Sequence, residues 1–116
     1  MTLTPGEFRR LALDLPGVQE GAHMGHADFR ANGRIFATLG SPDADHGMVK
    51  LAPEQQDMLM AAEPGIFRPA AGAWGRQGST LVRLEAADAA TVRSALAMAQ
   101  GLALAQPPPR TRKPKV

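Results

Sequence analysis

The sequence predicts an α+β domain: a mostly antiparallel sheet with an N-terminal helix, a middle helix and a C-terminal helix packed on it. Three observations support this class. Apolar residues recur with helical spacing in three separate segments, strand-like segments follow one another directly before the middle helix, and Asn32-Gly33 marks a tight hairpin between two of them. Strands that cluster, instead of alternating with helices, favour an antiparallel sheet over a doubly wound one.

The N-terminal helix has a complete start signal. Thr4 can cap the helix, Pro5 suits its first turn, and Glu7 completes a capping box. The Pro-Gly pair at residues 16–17 ends the helix. The apolar stripe between these signals consists of Phe8, Leu11, Ala12 and Leu15.

Strands are predicted over residues 18–39, with residues 28–32 and 34–39 flanking the turn at Gly33. Alternation in the second of these strands places Ile35, Ala37 and Leu39 on one face, and Phe36 and Thr38 on the other. Residues 40–47 have the composition of a loop, and residues 66–79, around Trp74, are expected to be irregular. Two more strands are predicted over residues 48–51 and 80–85.

The middle helix is predicted from Pro53 to about residue 62, with Met58, Leu59 and Ala62 facing inward. Asp88 is the expected cap of the C-terminal helix. The apolar stripe of that helix consists of Val92, Ala95, Leu96, Ala99 and Leu102.

Length and composition set limits on function. A chain of 116 residues fits one domain, and the absence of cysteine excludes disulfides, thiol nucleophiles, zinc–thiolate sites and iron–sulfur clusters. No basic segment precedes an apolar run at the N-terminus, and every apolar run is far too short to span a bilayer. We therefore expect a cytoplasmic protein without a cofactor or a membrane partner.

The positive net charge is confined to the end of the chain. The formal charge is +2, yet residues 107–116 hold four basic side chains and no acid, so the preceding 106 residues carry nine basic against eleven acidic side chains. Three consecutive prolines open this segment. We predict a domain over residues 1–106 and a flexible, Pro-rich basic tail over residues 107–116.

Four segments, in this order and spacing, resemble the MmcQ/YjbR family over about residues 7–105. They are LALDLPGVQE at residues 11–20; Gly25-His26 with Phe29-Arg30 and GRIFA at 33–37; Val49-Lys50-Leu51 before a PEQQ helix; and Gly75-Arg76-Gln77-Gly78. The resemblance implies a fold similar to the CyaY-like group, sometimes described as a double-wing arrangement, and a DNA-binding role. The family pattern leads us to expect an aromatic residue after the last motif, where this sequence has Ser79.

No set of residues points to catalysis or to a metal ion. Glu20, His23, His26 and Asp28 form the cluster most similar to a metal site, with Glu20, His26 and Asp28 of like parity in an extended chain, but surface histidines and a strand-end turn are the favoured explanation. The loop with Asp43, Asp45 and His46 lacks the later ligands of a calcium loop. The serines at positions 41, 79 and 94 lie outside any Gly-x-Ser-x-Gly elbow. We expect that the protein is not an enzyme.

Basic side chains in the central region are the candidate nucleic-acid contacts, because arginine forks suit phosphates and an adjacent tryptophan can stack on a base. These residues are Arg30, Arg34, Lys50, Arg68, Trp74, Arg76 and Arg83. The first hypothesis is a DNA-binding monomer that uses phosphate contacts. The alternative is a protein-interaction or small-ligand module in which the Trp74 segment lines a groove, which would suit a domain that is acidic without its tail.

Overall fold

A computed structural model describes residues 2–23, 25–40 and 43–106 of the chain, so the predicted tail lies outside the described residues. The helices are α1 (Pro5–Leu13), α2 (Pro53–Ala62), α3 (Gly72–Arg76) and α4 (Ala89–Ala105). The strands are β1 (Gln19–His23), β2 (His26–Ala31), β3 (Arg34–Leu39), β4 (His46–Lys50), β5 (Phe67–Pro69) and β6 (Ser79–Arg83), and a 3₁₀ turn spans Leu84–Ala86.

The six strands form one sheet in the order β1-β2-β3-β4-β6-β5, and every neighbouring pair is antiparallel. With helices at the N-terminus, in the middle and at the C-terminus, this architecture confirms the predicted α+β class. Among the described residues, none of the helices combines the length and the apolar character that crossing a bilayer requires.

The core lies between one face of the sheet and the helices α1 and α4. All four phenylalanines are buried in the core cluster, and the rings of Phe8 and Phe29 pack with their centroids 6.2 Å apart. Gly47 makes this packing possible, because a Cβ atom at that position would lie 2.7 Å from the Phe8 ring. We call the opposite side of the sheet the open face.

Both predicted helix caps are confirmed. Thr4 and Glu7 form the reciprocal capping box of α1, with backbone-to-side-chain distances of 2.8 and 3.1 Å. The backbone N–H of Thr91 donates to the Asp88 carboxylate at the start of α4. These signals involve residues three apart in sequence, so they can be recognised without knowledge of the tertiary fold.

A bulge in β3 overturns the predicted alternation of that strand. The backbone pairs Phe29↔Ala37 and Arg30↔Ile35 leave Phe36 without a partner in β2. One extra residue reverses the parity of the strand, so Phe36 and Ala37 are both buried in the core and Ile35 lies on the same side as Thr38. The hairpin before the bulge is as predicted, because Asn32 and Gly33 both have positive φ, at 56° and 76°.

Two further expectations are wrong. Residues 66–79 are not irregular, since they contain β5 and α3, which are too short to leave a periodic signal in the sequence. The inward face of α2 is formed by Gln56 and Leu59, whereas Met58 and Ala62 are exposed. Gln56 is buried because its amide nitrogen lies 3.0–3.1 Å from the Gly75 carbonyl, the Ser79 carbonyl and the Thr80 hydroxyl.

Candidate functional site

The open face is the surface on which most of the predicted contact residues meet. Directly paired residues of antiparallel strands project to the same side of a sheet, so the register defines the members of this face. From β1 to β5 they are Gln19, Gly21, His26, Asp28, Arg30, Ile35, Thr38, His46, Met48, Lys50, Ser79, Leu81, Arg83 and Arg68.

The centre of the open face is an apolar floor formed by Ile35, Met48 and Leu81, all half-buried. Trp74, on α3, stands at one end of this floor and is 67% exposed. Together they line a pocket of about 240 Å³ whose wall includes Ser79, the residue at the position where an aromatic was expected. The exposed aromatic side chain of this face therefore comes from α3.

Arg30 and Asp28 form a built-in ion pair on the open face. The Arg30 Nε and Nη2 atoms lie 2.8 and 3.2 Å from the two carboxylate oxygens of Asp28, whose side chain is fully buried. This interaction raises the pKa of Arg30 further above its ordinary value. Gly21 leaves room for the pair, because a Cβ atom there would lie 2.9 Å from Asp28 Oδ1.

Lys50, Arg68 and Arg83 surround the apolar floor. Arg68 lies opposite Leu81 in the sheet register, Arg83 follows two residues later on β6, and Lys50 lies opposite Ser79. Arg68 and Arg83 are exposed, and Lys50 is half-buried. Arg68 and Arg83 also line a cavity with Asp43, Asp45 and Glu85, whereas Lys50 lines the pocket of the apolar floor, in which none of the described lining residues is acidic.

One corner of the open face is polar. His46, which was expected in a solvated loop, is the first residue of β4 and is buried, with its Nδ1 atom 2.8 Å from Asp43 Oδ1. This hydrogen bond, followed by one from the Asp45 backbone N–H, lowers the pKa of Asp43. The other ring nitrogen, Nε2, is buried without a hydrogen-bond partner among the described residues.

Five of the seven predicted contact residues, namely Arg30, Lys50, Arg68, Trp74 and Arg83, thus lie at the open face. Arg34 does not join them, because it pairs with Ala31 and lies on the side of the sheet that α4 covers. Arg76, which ends α3, is exposed but belongs to none of the strands that define the face.

The Gly75-Arg76-Gln77-Gly78 motif has a structural explanation. A Cβ atom at Gly75 would lie 1.9 Å from the Ala70 carbonyl oxygen, and one at Gly78 would lie 1.8 Å from the Leu51 carbonyl oxygen. Gly78 also has φ +111°, a conformation that residues with side chains rarely adopt. These glycines let the chain turn closely from α3 into β6 and so fix the position of Trp74.

The metal-like cluster of the sequence is divided by the fold. β1 and β2 are separate strands joined by a turn, so parity does not carry across them, and Glu20, paired with Phe29, lies on the opposite face from Asp28. Glu20 instead forms an ion pair with Arg9 of α1, with Nε and Oε1 2.7 Å apart. Within the described part of the chain, no three His, Cys, Asp or Glu residues are grouped so that they could hold a metal ion.

A solved structure has a similar fold. The crystal structure of Deinococcus radiodurans protein DR2400, described as a DUF419 domain, is similar with a TM-score of 0.71 and 19% identity, over 87% of this chain and 78% of that one. No curated protein matches the sequence. The sequence pattern of the YjbR family matches residues 13–99, which is most of the domain. The chain therefore belongs to the YjbR family.

Proposed function

We propose that this protein is a non-enzymatic DNA-binding domain whose open face contacts the phosphate backbone. The observation that supports the proposal is that Lys50 lines the pocket with exposed Trp74, while the sheet register places Arg68 and Arg83 on the same face beside the apolar floor. Arginine and lysine supply many of the phosphate contacts in protein–DNA complexes. On a domain with more acids than bases, a local group of cations directs a polyanion to one surface.

In this proposal, Trp74 provides an aromatic contact to bases or sugars. Aromatic side chains in basic grooves stack on bases or sugars, and such contacts tolerate many sequences because every base has a π-face. With Ile35, Met48 and Leu81 beside it, Trp74 gives the open face an apolar surface between its cations. We expect recognition that depends on charge and shape more than on base sequence.

The non-enzymatic part of the proposal is supported by His46. Its Nδ1 atom is bonded to Asp43 and its Nε2 atom is buried, so a molecule bound on the open face would not reach a ring nitrogen of His46. A general base must lie within hydrogen-bond distance of the proton that it removes.

The experiment that tests the proposal is a fluorescence-anisotropy titration of labelled duplex DNA with two matched variants of the full chain. The face variant carries Lys50→Gln, Arg68→Gln and Arg83→Gln. The helix-side variant carries Arg9→Gln, Arg10→Gln and Arg93→Gln, which removes the same charge from α1 and α4. We expect the face variant to lose at least about tenfold in affinity at low salt, and the helix-side variant to stay within about threefold of the wild type.

A third variant, in which the four basic residues of the segment 107–116 are replaced by Gln, measures the contribution of the tail. Equal losses of affinity in the face and helix-side variants, or no binding by the wild type, would contradict the proposal. If only the third variant loses binding, the tail acts as a general polycation and the open face has another role.

Trp74 provides an independent readout because it is the one tryptophan of the chain. DNA bound to the open face changes the polarity around its indole ring, so its emission should shift or be quenched in proportion to the anisotropy signal. Binding through the tail alone would leave the emission unchanged.

The pocket beneath Trp74 supports a second candidate function, a module for a small ligand or a protein side chain. Its floor is apolar and Lys50 reaches its rim. Ser79→Phe would fill this pocket of about 240 Å³. For this function we expect the Ser79 variant to abolish a partner's effect on Trp74 emission, whereas DNA binding through phosphates would persist.

A further inference from the structure

A second cavity opens where β3 and β4 separate, and we call it the β3–β4 cleft. The two strands pair only from Ala37↔Val49 to Leu39↔Gly47, so beyond the bulge at Phe36 they are no longer joined. The resulting cleft has a volume of about 420 Å³. Its walls consist of Arg30, Gly33, Arg34, Ile35, Phe36, Lys50, Leu51, Gln77, Ala99, Leu102, Ala103 and Gln106.

The charges around the β3–β4 cleft have one sign. Three of its wall residues, Arg30, Arg34 and Lys50, are basic, and none of the described residues that line it is acidic. Arg30 donates two hydrogen bonds to Asp28, which lies outside the cleft. The test below therefore substitutes Lys50. Gln77 adds an exposed side-chain amide that can donate a hydrogen bond.

The deep wall of the same cleft is apolar. Phe36 of β3 and Leu51, which directly follows β4, contribute buried side chains, and Ala99, Leu102 and Ala103 form a stripe along α4. The small side chains of Ala99 and Ala103 leave space in the cleft that larger side chains would fill. A molecule that enters the cleft therefore meets cations at the rim and hydrocarbon inside.

We infer that the β3–β4 cleft binds a small organic anion that joins one carboxylate or phosphate group to an apolar body of a few carbons. The charge of the rim selects the head group, and the wall of Phe36 and α4 selects the body. The volume lies within the usual range of small-molecule sites, about 300–1,000 Å³. Inorganic anions lack the apolar body and should bind only weakly.

This inference does not depend on the proposed DNA binding. The cleft and the open face share Arg30, Ile35 and Lys50, but the α4 wall belongs to the cleft alone. Substitutions on α4 that leave the charge unchanged can therefore test the cleft without weakening phosphate contacts on the sheet.

The test uses the full chain, labelled with ¹⁵N, and hexyl phosphate and hexanoate as probes. Inorganic phosphate and acetate serve as head-group controls, and hexanol serves as the body control. We expect saturable amide shifts at Gly33, Gln77 and Ala103, with a hexyl anion bound at least about tenfold more tightly than its head group or hexanol alone. The head group that binds more tightly identifies the preferred anion.

The matched variants are Leu102→Asn and Leu104→Asn. Both lie on α4, but Leu102 lines the cleft whereas Leu104 is 53% exposed and lies outside it. We expect Leu102→Asn to weaken hexyl-anion binding at least about fivefold, and Leu104→Asn to retain it. Thermal unfolding of both variants verifies that they are folded. Lys50→Gln should weaken the binding of hexyl phosphate and of hexanoate, whereas Lys50→Arg should retain the binding of both anions.

Three results would overturn the inference: no saturable shift, equal affinity for hexyl phosphate and inorganic phosphate, or equal effects of the two leucine substitutions. Because Leu102→Asn leaves the charge unchanged, its DNA affinity should stay within about threefold of the wild type. A failure of the cleft proposal and a failure of the DNA proposal are thus distinguishable.

Discussion

Arg30 shows that a basic residue at a surface is not by itself an available phosphate ligand. In the sequence it belongs to a set of equivalent candidates, whereas in the structure its guanidinium covers the fully buried Asp28 carboxylate through two contacts. Arg68 and Arg83 share a cavity with Asp43, Asp45 and Glu85, but no ion pair as close as that of Arg30 and Asp28 is formed by Lys50, Arg68 or Arg83 with another described residue. We therefore assign Arg30 a role in stability that Lys50, Arg68 and Arg83 do not share.

Substituting Arg30 should destabilise the protein more than substituting Lys50. Arg30→Gln removes a charged partner of a buried carboxylate, and leaving such a group less satisfied is costly, although water can replace part of a side chain that is 41% exposed. We expect a lower urea midpoint for Arg30→Gln and a nearly unchanged midpoint for Lys50→Gln. Equal midpoints for the two variants would show that the ion pair is not important for stability.

At this scale, the sequence predicts what is local and misses what depends on register. The caps at Thr4 and Asp88 are recognisable because their partners lie three residues away. The space that Gly21 leaves for the Asp28–Arg30 pair follows from the pairing Gly21↔Asp28, which is known only once β1 and β2 are aligned. In the sequence, Gly21 was the one signal of this space, and a glycine in a strand can also mark a bulge or a bend.

At the scale of elements, the long helices were predictable and the short elements were not. The predicted bounds of α2 are confirmed, yet its inward face was wrong because Gln56 is buried for its hydrogen bonds and not for its hydrophobicity. The bulge at Phe36 changed the membership of both faces of β3. Since the bulge places Ile35 in the floor of the open face, the candidate site could not be assembled from strand alternation alone.

The turn from α3 into β6 should not tolerate a side chain at Gly75. The Ala70 carbonyl would lie 1.9 Å from the new Cβ of Gly75→Ala, so the backbone must shift, and α3 with Trp74 must move with it. We expect a loss of about 1–3 kcal/mol in unfolding free energy and a shifted Trp74 emission maximum. Gly65→Ala is the matched control, because nothing lies within 4 Å of its Cβ. Comparable losses of stability in both variants would contradict this explanation.

At the scale of the molecule, the basic pI does not describe the folded domain. The pI of 9.7 suggests a basic protein, although residues 1–106 hold nine basic and eleven acidic side chains. Acids and bases occur on both sides of the sheet: α1 holds Glu7 together with Arg9 and Arg10, and Arg68 and Arg83 of the open face line a cavity with Asp43, Asp45 and Glu85. Composition alone located the excess charge in the tail, but only the sheet register shows which cations of the domain share a surface.

The three cations of the open face predict a specific salt dependence. Each DNA phosphate that a variant no longer neutralises reduces the slope of log affinity against log salt by about 0.9. We expect the face variant to have a slope smaller by about 2–3 than the wild type, and the helix-side variant to keep the wild-type slope. Measuring the affinity at several salt concentrations checks this expectation, and an unchanged slope in the face variant would mean that its cations do not bind phosphate.

The outermost strands give the sheet a further property. At one edge, β5 has only three residues and ends in Pro69, which has no backbone N–H. At the other edge, β1 carries Glu20, whose side chain forms an ion pair with Arg9. Short strands, proline and charge are the devices by which proteins prevent foreign strands from adding to a sheet edge. The β5 edge is therefore protected against the addition of a foreign strand, so we expect partners of this part of the sheet to contact side chains and not main-chain hydrogen-bonding groups.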